Sequence, residues 1–233
     1  MRDALKHGHT GSMALFILDS KMKSIGKIKL TNCASRRFYT FFDLRLRNQL
    51  NIVPIIAVDY SLANLTFEEG QYCIHTLKEG APNDYVDSLK GIYNAFEALS
   101  RFTVAYGFGA CTVPGDGPAC NLFSLTGDFA DPYVTSAQEL INSYSGTIKN
   151  VRLALPVNFM HIVKFVCDLA QTEMGTASDA THIGNYYVLT ILMAGVIDDF
   201  QEAMNEILRA AQLPVSIIIV KIGTISHNEN DST

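Results

Sequence analysis

Ile52-Val-Pro-Ile-Ile-Ala-Val-Asp59 is a continuous apolar run closed by an acid. A run of this length with no alternating polar face marks a strand buried on both sides, as in a parallel sheet. Pro54 withholds one ladder donor and is tolerated only near the strand start. Downstream, Val86, Leu89, Ile92/Tyr93, Phe96 and Leu99 recur at helical spacing, which predicts an amphipathic helix over 85–101. The stretch 102–108 reads as a strand running into Gly107-Phe-Gly109. A Pro/Gly turn (113–118) and a short strand (122–125) follow. Helices are expected over 135–145, 158–174 and 199–211, and strands over 186–193 and 215–222. Tyr60 to Asp84 reads as a long loop, and Ile25–Leu30 alternates enough for a short strand. Buried strands alternating with amphipathic helices predict an α/β fold, a doubly wound, mainly parallel sheet flanked by helices. In such sheets ligands sit outside the carboxyl ends of the strands. That directs attention to Asp59-Tyr-Ser61-Leu-Ala63-Asn64, Gly107-Phe-Gly109, Pro156-Val157-Asn158 and Ala194 to Asp199.

The chain has 233 residues, 48% of them hydrophobic, with 13 Phe, 10 Tyr and no Trp, which excludes a mainly disordered chain. No run approaches the ~18 apolar residues of a membrane helix, and the Met13–Leu18 run is too short for a signal peptide core. A cytoplasmic protein is expected. The net charge of −5 hides an asymmetry: residues 1–48 carry ten of the 18 Lys+Arg against three acids, a balance of +7, and the remainder carries −12. A basic segment on an acidic body suits anionic lipid, its own acidic domain or solvent. Five cysteines lack any C-x-x-C pair, and an odd count argues against a disulfide framework. Free buried or loop thiols are expected, with Cys111 and Cys120, flanking the Pro/Gly turn, as the pair that oxidation would join. His75, His161 and His182 are isolated and read as structural or solvated.

Catalytic motifs do not emerge. Gly107-x-Gly109 lacks the third glycine of a dinucleotide fingerprint and precedes a turn, so it reads as close packing or turning at a strand end. Ser61 near Asp59 has no histidine placed to act as its base. Asp59-x-Ser61 instead resembles the start of an oxygen-rich cation site for Mg²⁺ or Mn²⁺. Ile55-Ile-Ala-Val-Asp-Tyr-Ser61, Ala105-Tyr-Gly-Phe-Gly-Ala110, Leu155-Pro-Val-Asn-Phe159, Gly195-Val-Ile-Asp-Asp199 and Ala210-Ala-Gln-Leu-Pro-Val-Ser-Ile-Ile-Ile-Val220 together resemble the von Willebrand factor A domain of copines, over about 51–223.

That resemblance implies a Rossmann-like sheet with a metal-ion-dependent adhesion site that binds proteins rather than catalysing a reaction. Copines add two C2 domains that bind phospholipid with calcium. Here 1–48 is a basic leader and a stub resembling the end of a C2 domain, 49–223 is the A domain, and 224–233 is a polar tail. The helix and edge strand that follow in the family are not recognisable, which leaves 215–222 as an exposed edge. The family's adhesion pattern has a hydroxyl where this chain has Ala63, a Thr where it has Val157 and an Asp where it has Ala194. Asp59 and Ser61 remain as metal ligands, so no cofactor is expected, and Mg²⁺ or Mn²⁺ only weakly. Asp198 and Asp199 suit a helix N-terminus. The expectation is a non-enzymatic protein-interaction module with a degenerate adhesion site, placed by its family in calcium-dependent phospholipid signalling. Asn64, Asn158 and Asp199 are its candidate contacts to a protein partner, and no nucleic-acid partner is expected. The alternative is calcium-independent recruitment of the basic segment to the plasma membrane.

Overall fold

The computed structural model describes residues 11–33, 40–46, 50–66, 72–78, 80–112, 117–176 and 184–223. The leader before 11 and the tail beyond 223 lie outside them. The chain forms two compact units, Met1–Arg47 and Asn48–Thr233.

In the first unit β1 (Gly11–Leu18) pairs antiparallel with β2 (Ser24–Cys33), and a short helix α1 (Phe41–Leu46) follows. The sequence pattern anticipates β2 but not β1, whose apolar run has no polar alternation to mark it. Leu15 pairs with Ile28 and Ile17 with Gly26 on one face, and Phe16 with Lys27 on the other. Lys27 Nζ lies 5.9 Å from the centre of the Phe16 ring.

The second unit opens with β3 (Leu50–Asp59), whose residues from Ile52 onward are all buried. After β3 come β4 (Leu65–Thr66), β5 (Tyr72–Cys73), α2 (Asp84–Glu97), β6 (Thr103–Phe108), β7 (Ala110–Cys111), β8 (Phe123–Ser124) and β9 (Tyr133–Val134). Then follow α3 (Ala137–Asn150), β10 (Arg152–Leu153), α4 (Met160–Thr176), β11 (Gly184–Met193), α5 (Phe200–Ala210) and β12 (Val215–Lys221). The sheet runs β12-β11-β3-β6-β8 with β9 also on β6. The four long strands are parallel, and β8 and β9 are antiparallel to β6. Pro54 lies deeper in its strand than expected, but the ladder to β6 starts only at Ile55, so that flank asks no donor of it.

Two cores confirm the double winding. On one face Ile55, Ala57, Tyr106 and Ile191 pack with Phe159, Ile162 and Val166 of the α4 region and Ala203 of α5. On the other, Ile56, Val58 and Leu192 pack with Tyr85, Leu89 and Tyr93 of α2 and Leu140 and Tyr144 of α3. α3 runs past its expected end at 145 to Asn150. Ser136 starts it by accepting the Glu139 N–H at 3.1 Å, while Glu139 accepts from Thr135 N at 2.7 Å. Among the described residues no helix is long and apolar enough to cross a membrane.

Candidate functional site

The loops at the carboxyl ends of β3 and β11, with the segment before α4, converge around Asp59. Its side chain is fully buried. One carboxylate oxygen accepts the Ser61 N–H at 2.8 Å and the other the Ala194 N–H at 3.2 Å. Burial pushes its pKa above the usual carboxylate range, and these bonds pull against that shift. Ser61 is also buried, and its hydroxyl accepts the Ala63 N–H at 3.3 Å, starting a short 3₁₀ turn over Leu62–Asn64. Leu62 N bonds to Ala154 O at 2.9 Å, which draws the first loop toward the second.

The three apolar positions of the adhesion pattern fall in the same place. Val157 is buried in the core cluster that Ala63 packs against. A Cβ on Gly195 would lie 2.3 Å from Cβ of Ala63, so the first and third loops touch through a methyl and a bare Cα. Further along, Asp198 accepts the Val157 N–H at 2.7 Å and Asp199 the Met160 N–H at 2.8 Å. These acids sit at the amino end of α5, as expected. Asp199 occupies that N-cap position without a side-chain bond to α5. Its carboxylate instead caps α4, the neighbouring helix, whose amino end lacks partners for its first N–H groups. Two side-chain acceptors here, Asn158 Oδ1 and Asp199 Oδ1, are buried without a hydrogen-bond partner.

Asn64 is not on the surface. It is fully buried, donating to the main-chain oxygens of Asp59 at 3.0 Å and Ser61 at 3.1 Å and accepting from the Tyr85 hydroxyl at 2.6 Å. The sequence reading of Asn64 as a partner contact gives way to a structural one: its amide replaces the backbone bonds that a sharp loop cannot make.

The segment read as a long loop over 60–84 is partly built structure. β4 pairs with β5, and His75 then enters the core. Its Nε2 lies 2.9 Å from Asp59 O and its Nδ1 2.8 Å from the Tyr144 hydroxyl. A carbonyl only accepts, so Nε2 carries the proton and Nδ1 accepts from Tyr144. The ring stacks between Tyr60, at 4.9 Å, and Tyr85, at 4.4 Å. Burial lowers its pKa to about 4. Nothing local in the sequence signals this arrangement, because every partner of His75 is distant in the chain.

Gly107 and Gly109 both serve the packing expected of them. A Cβ at Gly107 would strike the Phe123 ring at 2.4 Å, and Gly109 has φ +78 and lies against Ser61. Cys73, Cys111, Cys120 and Cys167 are free thiols. Cys111 donates to Gly117 O at 2.8 Å and Cys120 to Leu122 O at 3.3 Å rather than bonding each other.

A doubly wound, mainly parallel sheet with these loops at its carboxyl edge is a domain of the von Willebrand A type, a fold used for protein interaction. The chain belongs to the copine family, whose model, described as Copine, matches residues 73–232. Among solved structures it is similar to the crystal structure of the TFIIH p34 N-terminal domain, at 13% identity and a TM-score of 0.40, covering 75% of this chain and 84% of that one.

Proposed function

We propose that this chain is a non-enzymatic interaction module whose adhesion site no longer needs metal and whose carboxyl-edge loops engage a protein partner directly. The observation that carries the reading is how the loops are held. Where an adhesion site of this kind uses a cation to tie three loops together, here carboxylate-to-backbone bonds do so: Asp59 to Ala194, Asp198 to Val157 and Asp199 to Met160. An octahedral Mg²⁺ asks for about six oxygens in strict geometry. Asp59 and Ser61 supply the only oxygen-bearing side chains at the five pattern positions, and Ala63, Val157 and Ala194 supply none. That donor set does not fit the ion. Beside these loops the surface is apolar: Val196 is 83% exposed and Phe200 61% exposed. They border a cavity of about 310 Å³ walled by Phe159, Met193, Ile197 and Met204. An exposed apolar rim suits a protein partner better than a charged small ligand.

The test is a thermal-shift titration of the full chain with Mg²⁺, Mn²⁺ and Ca²⁺ against EDTA, beside the triple variant Ala63→Ser, Val157→Thr, Ala194→Asp. A ligand at 100 times its Kd stabilises by about 2.7 kcal/mol, a visible shift in Tm. The expected result is a shift in the variant alone. A shift of the unmodified chain at sub-millimolar Mg²⁺ or Mn²⁺ overturns the reading.

A second reading is calcium-independent recruitment of the amino-terminal segment to anionic membrane. What favours it is the β1–β2 hairpin, with exposed Leu15, Ile17 and Ile28 on one face and Lys27 beside exposed Phe16 on the other. Apolar side chains to enter an interface and lysines to meet its charge are what such a surface recognises.

A further inference from the structure

β12 borders the sheet: among the described residues it pairs only with β11. Two bonds at its ends show which of its backbone groups that pairing uses. Tyr187 N–H donates to Pro214 O and Ile222 N–H to Met193 O. Backbone groups alternate sides along a strand, so the even-numbered residues from Pro214 to Ile222 turn theirs toward β11. The odd-numbered ones, Ile217, Ile219 and Lys221, turn theirs outward, where no strand meets them among the described residues. Val215 also faces outward, but its N–H already donates to Leu213 O at 2.7 Å, which leaves its carbonyl.

The side chains alternate as well. Val215 and Ile217 pack with the core under α4 and α5, and Ile219 on that face walls the cavity of about 310 Å³. On the opposite face Val220 packs against the second core, while Ile218 is 44% exposed. A border strand with unpaired backbone groups, apolar on both faces and uncharged from Val215 to Val220, calls for a strand of the same character. β12 of a second copy is such a strand.

We propose that β12 pairs antiparallel with β12 of a second copy about a two-fold axis at Ile218, joining the two sheets into one. Parity sets this register. With Ile218 opposite its own copy, outward Ile217 faces the partner's outward Ile219, and each such pair exchanges two hydrogen bonds. Lys221 N–H then reaches the free carbonyl of the partner's Val215, for about six backbone bonds in all. The two Ile218 residues form a narrow pair, in which side chains lie closest. Axes at Ile217 or Ile219 keep the parity but do not bring the exposed Ile218 side chains together. Charge agrees with the pairing: each Lys221 lies opposite Val215, and the two lysine backbones are roughly 20 Å apart along the strands. A two-fold closes on itself, so assembly stops at a dimer. The inference rests on the strand alone and is independent of the partner proposed for the loops.

The experiment is sedimentation velocity of the full chain from about 1 to about 200 μM, a span that brackets weak self-association. The expected result is a monomer–dimer equilibrium with Kd below about 100 μM. Ile219→Pro removes an outward donor and leaves the ladder to β11 intact. It should weaken the dimer by about tenfold or more, with little change in Tm at concentrations where the chain is monomeric. Ile218→Lys and Ile218→Glu should each weaken it similarly by setting like charges opposite each other, and an equimolar mixture of the two should associate about tenfold more tightly than either alone. If Ile219→Pro lowers Tm, the lysine and glutamate variants decide in its place. A chain that stays monomeric at the highest concentration overturns the proposal and leaves the edge to a strand of another protein. A species larger than a dimer, a dimer untouched by these variants, or a mixture that stays monomeric overturns it as well.

Discussion

The methyl of Ala63 occupies the space that any side chain at residue 195 would need, since a Cβ there would approach it to 2.3 Å. Gly195→Ala is therefore expected to cost about 1–3 kcal/mol of stability, the usual range for overpacking. Adding Ala63→Gly should restore about half of that loss or more, because it removes the atom in conflict. Urea unfolding of the two single variants and the double variant measures the coupling; strictly additive losses would refute the contact. His75 sets a second expectation. Its pKa is about 4 in the fold against 6.5 in the unfolded chain, so the unfolded state takes up the proton first as pH falls. The stability it contributes is complete above pH ~6.5 and is lost as pH drops toward ~4, by up to about 3 kcal/mol. Buried Asp59, whose pKa is raised, titrates with the opposite sign, because charging it as pH rises favours the unfolded chain. Tyr60, Tyr85 and Tyr144 around the ring stay neutral throughout, their pKa values raised by burial. Comparison with His75→Gln cancels Asp59: the stability gap between the two proteins should shrink by about 3 kcal/mol from pH 7.5 to 4. A gap independent of pH would mean that His75 is not held neutral.

Elements with one strong local signature could be read from sequence. The unbroken apolar runs of β3 and β12 and the helical stripes of α2 and α4 each appear close to their expected ends. The 60–84 region could not, since its order comes from His75 reaching Asp59 and Tyr144, contacts that no local period encodes. At the site, the pattern located Asp59, Ser61 and the apolar replacements. It could not show that Asn64 turns inward or that Asp199 caps a helix other than its own, because both depend on which loops the fold brings together. β12 carries an expectation of its own. Among the described residues it pairs only with β11, and Ile218 and Ile219, on opposite faces, are 44% and 50% exposed. From Val215 to Val220 it holds no charge or proline to discourage edge pairing. Ile218→Lys is expected to reduce concentration-dependent association, seen by light scattering, while shifting stability by less than about 1 kcal/mol. Unchanged association would place the sticky surface elsewhere.

At the scale of the whole chain, charge and compactness divide at nearly the same point. The residues before 49 carry +7 and those after carry −12, and the contact boundary falls between Arg47 and Asn48. The larger unit holds both hydrophobic cores and the entire six-stranded sheet. A fragment of residues 48–233 should therefore keep its cooperative melting transition, within about 3 °C of the full chain. The same fragment separates the two readings of function. If the basic hairpin recruits the protein to membrane, the full chain should co-sediment with vesicles containing 30% phosphatidylserine at 50 mM salt, with or without calcium. Binding should fall steeply by 500 mM salt, where the screening length shrinks to roughly 4 Å. The fragment should not bind at any salt concentration. Binding by the fragment, or binding that survives high salt, would remove the hairpin as the anchor. No binding by the full chain would leave interaction through the carboxyl-edge loops as the reading to pursue, with Val196→Asp and Phe200→Asp as the variants to carry into a search for the partner.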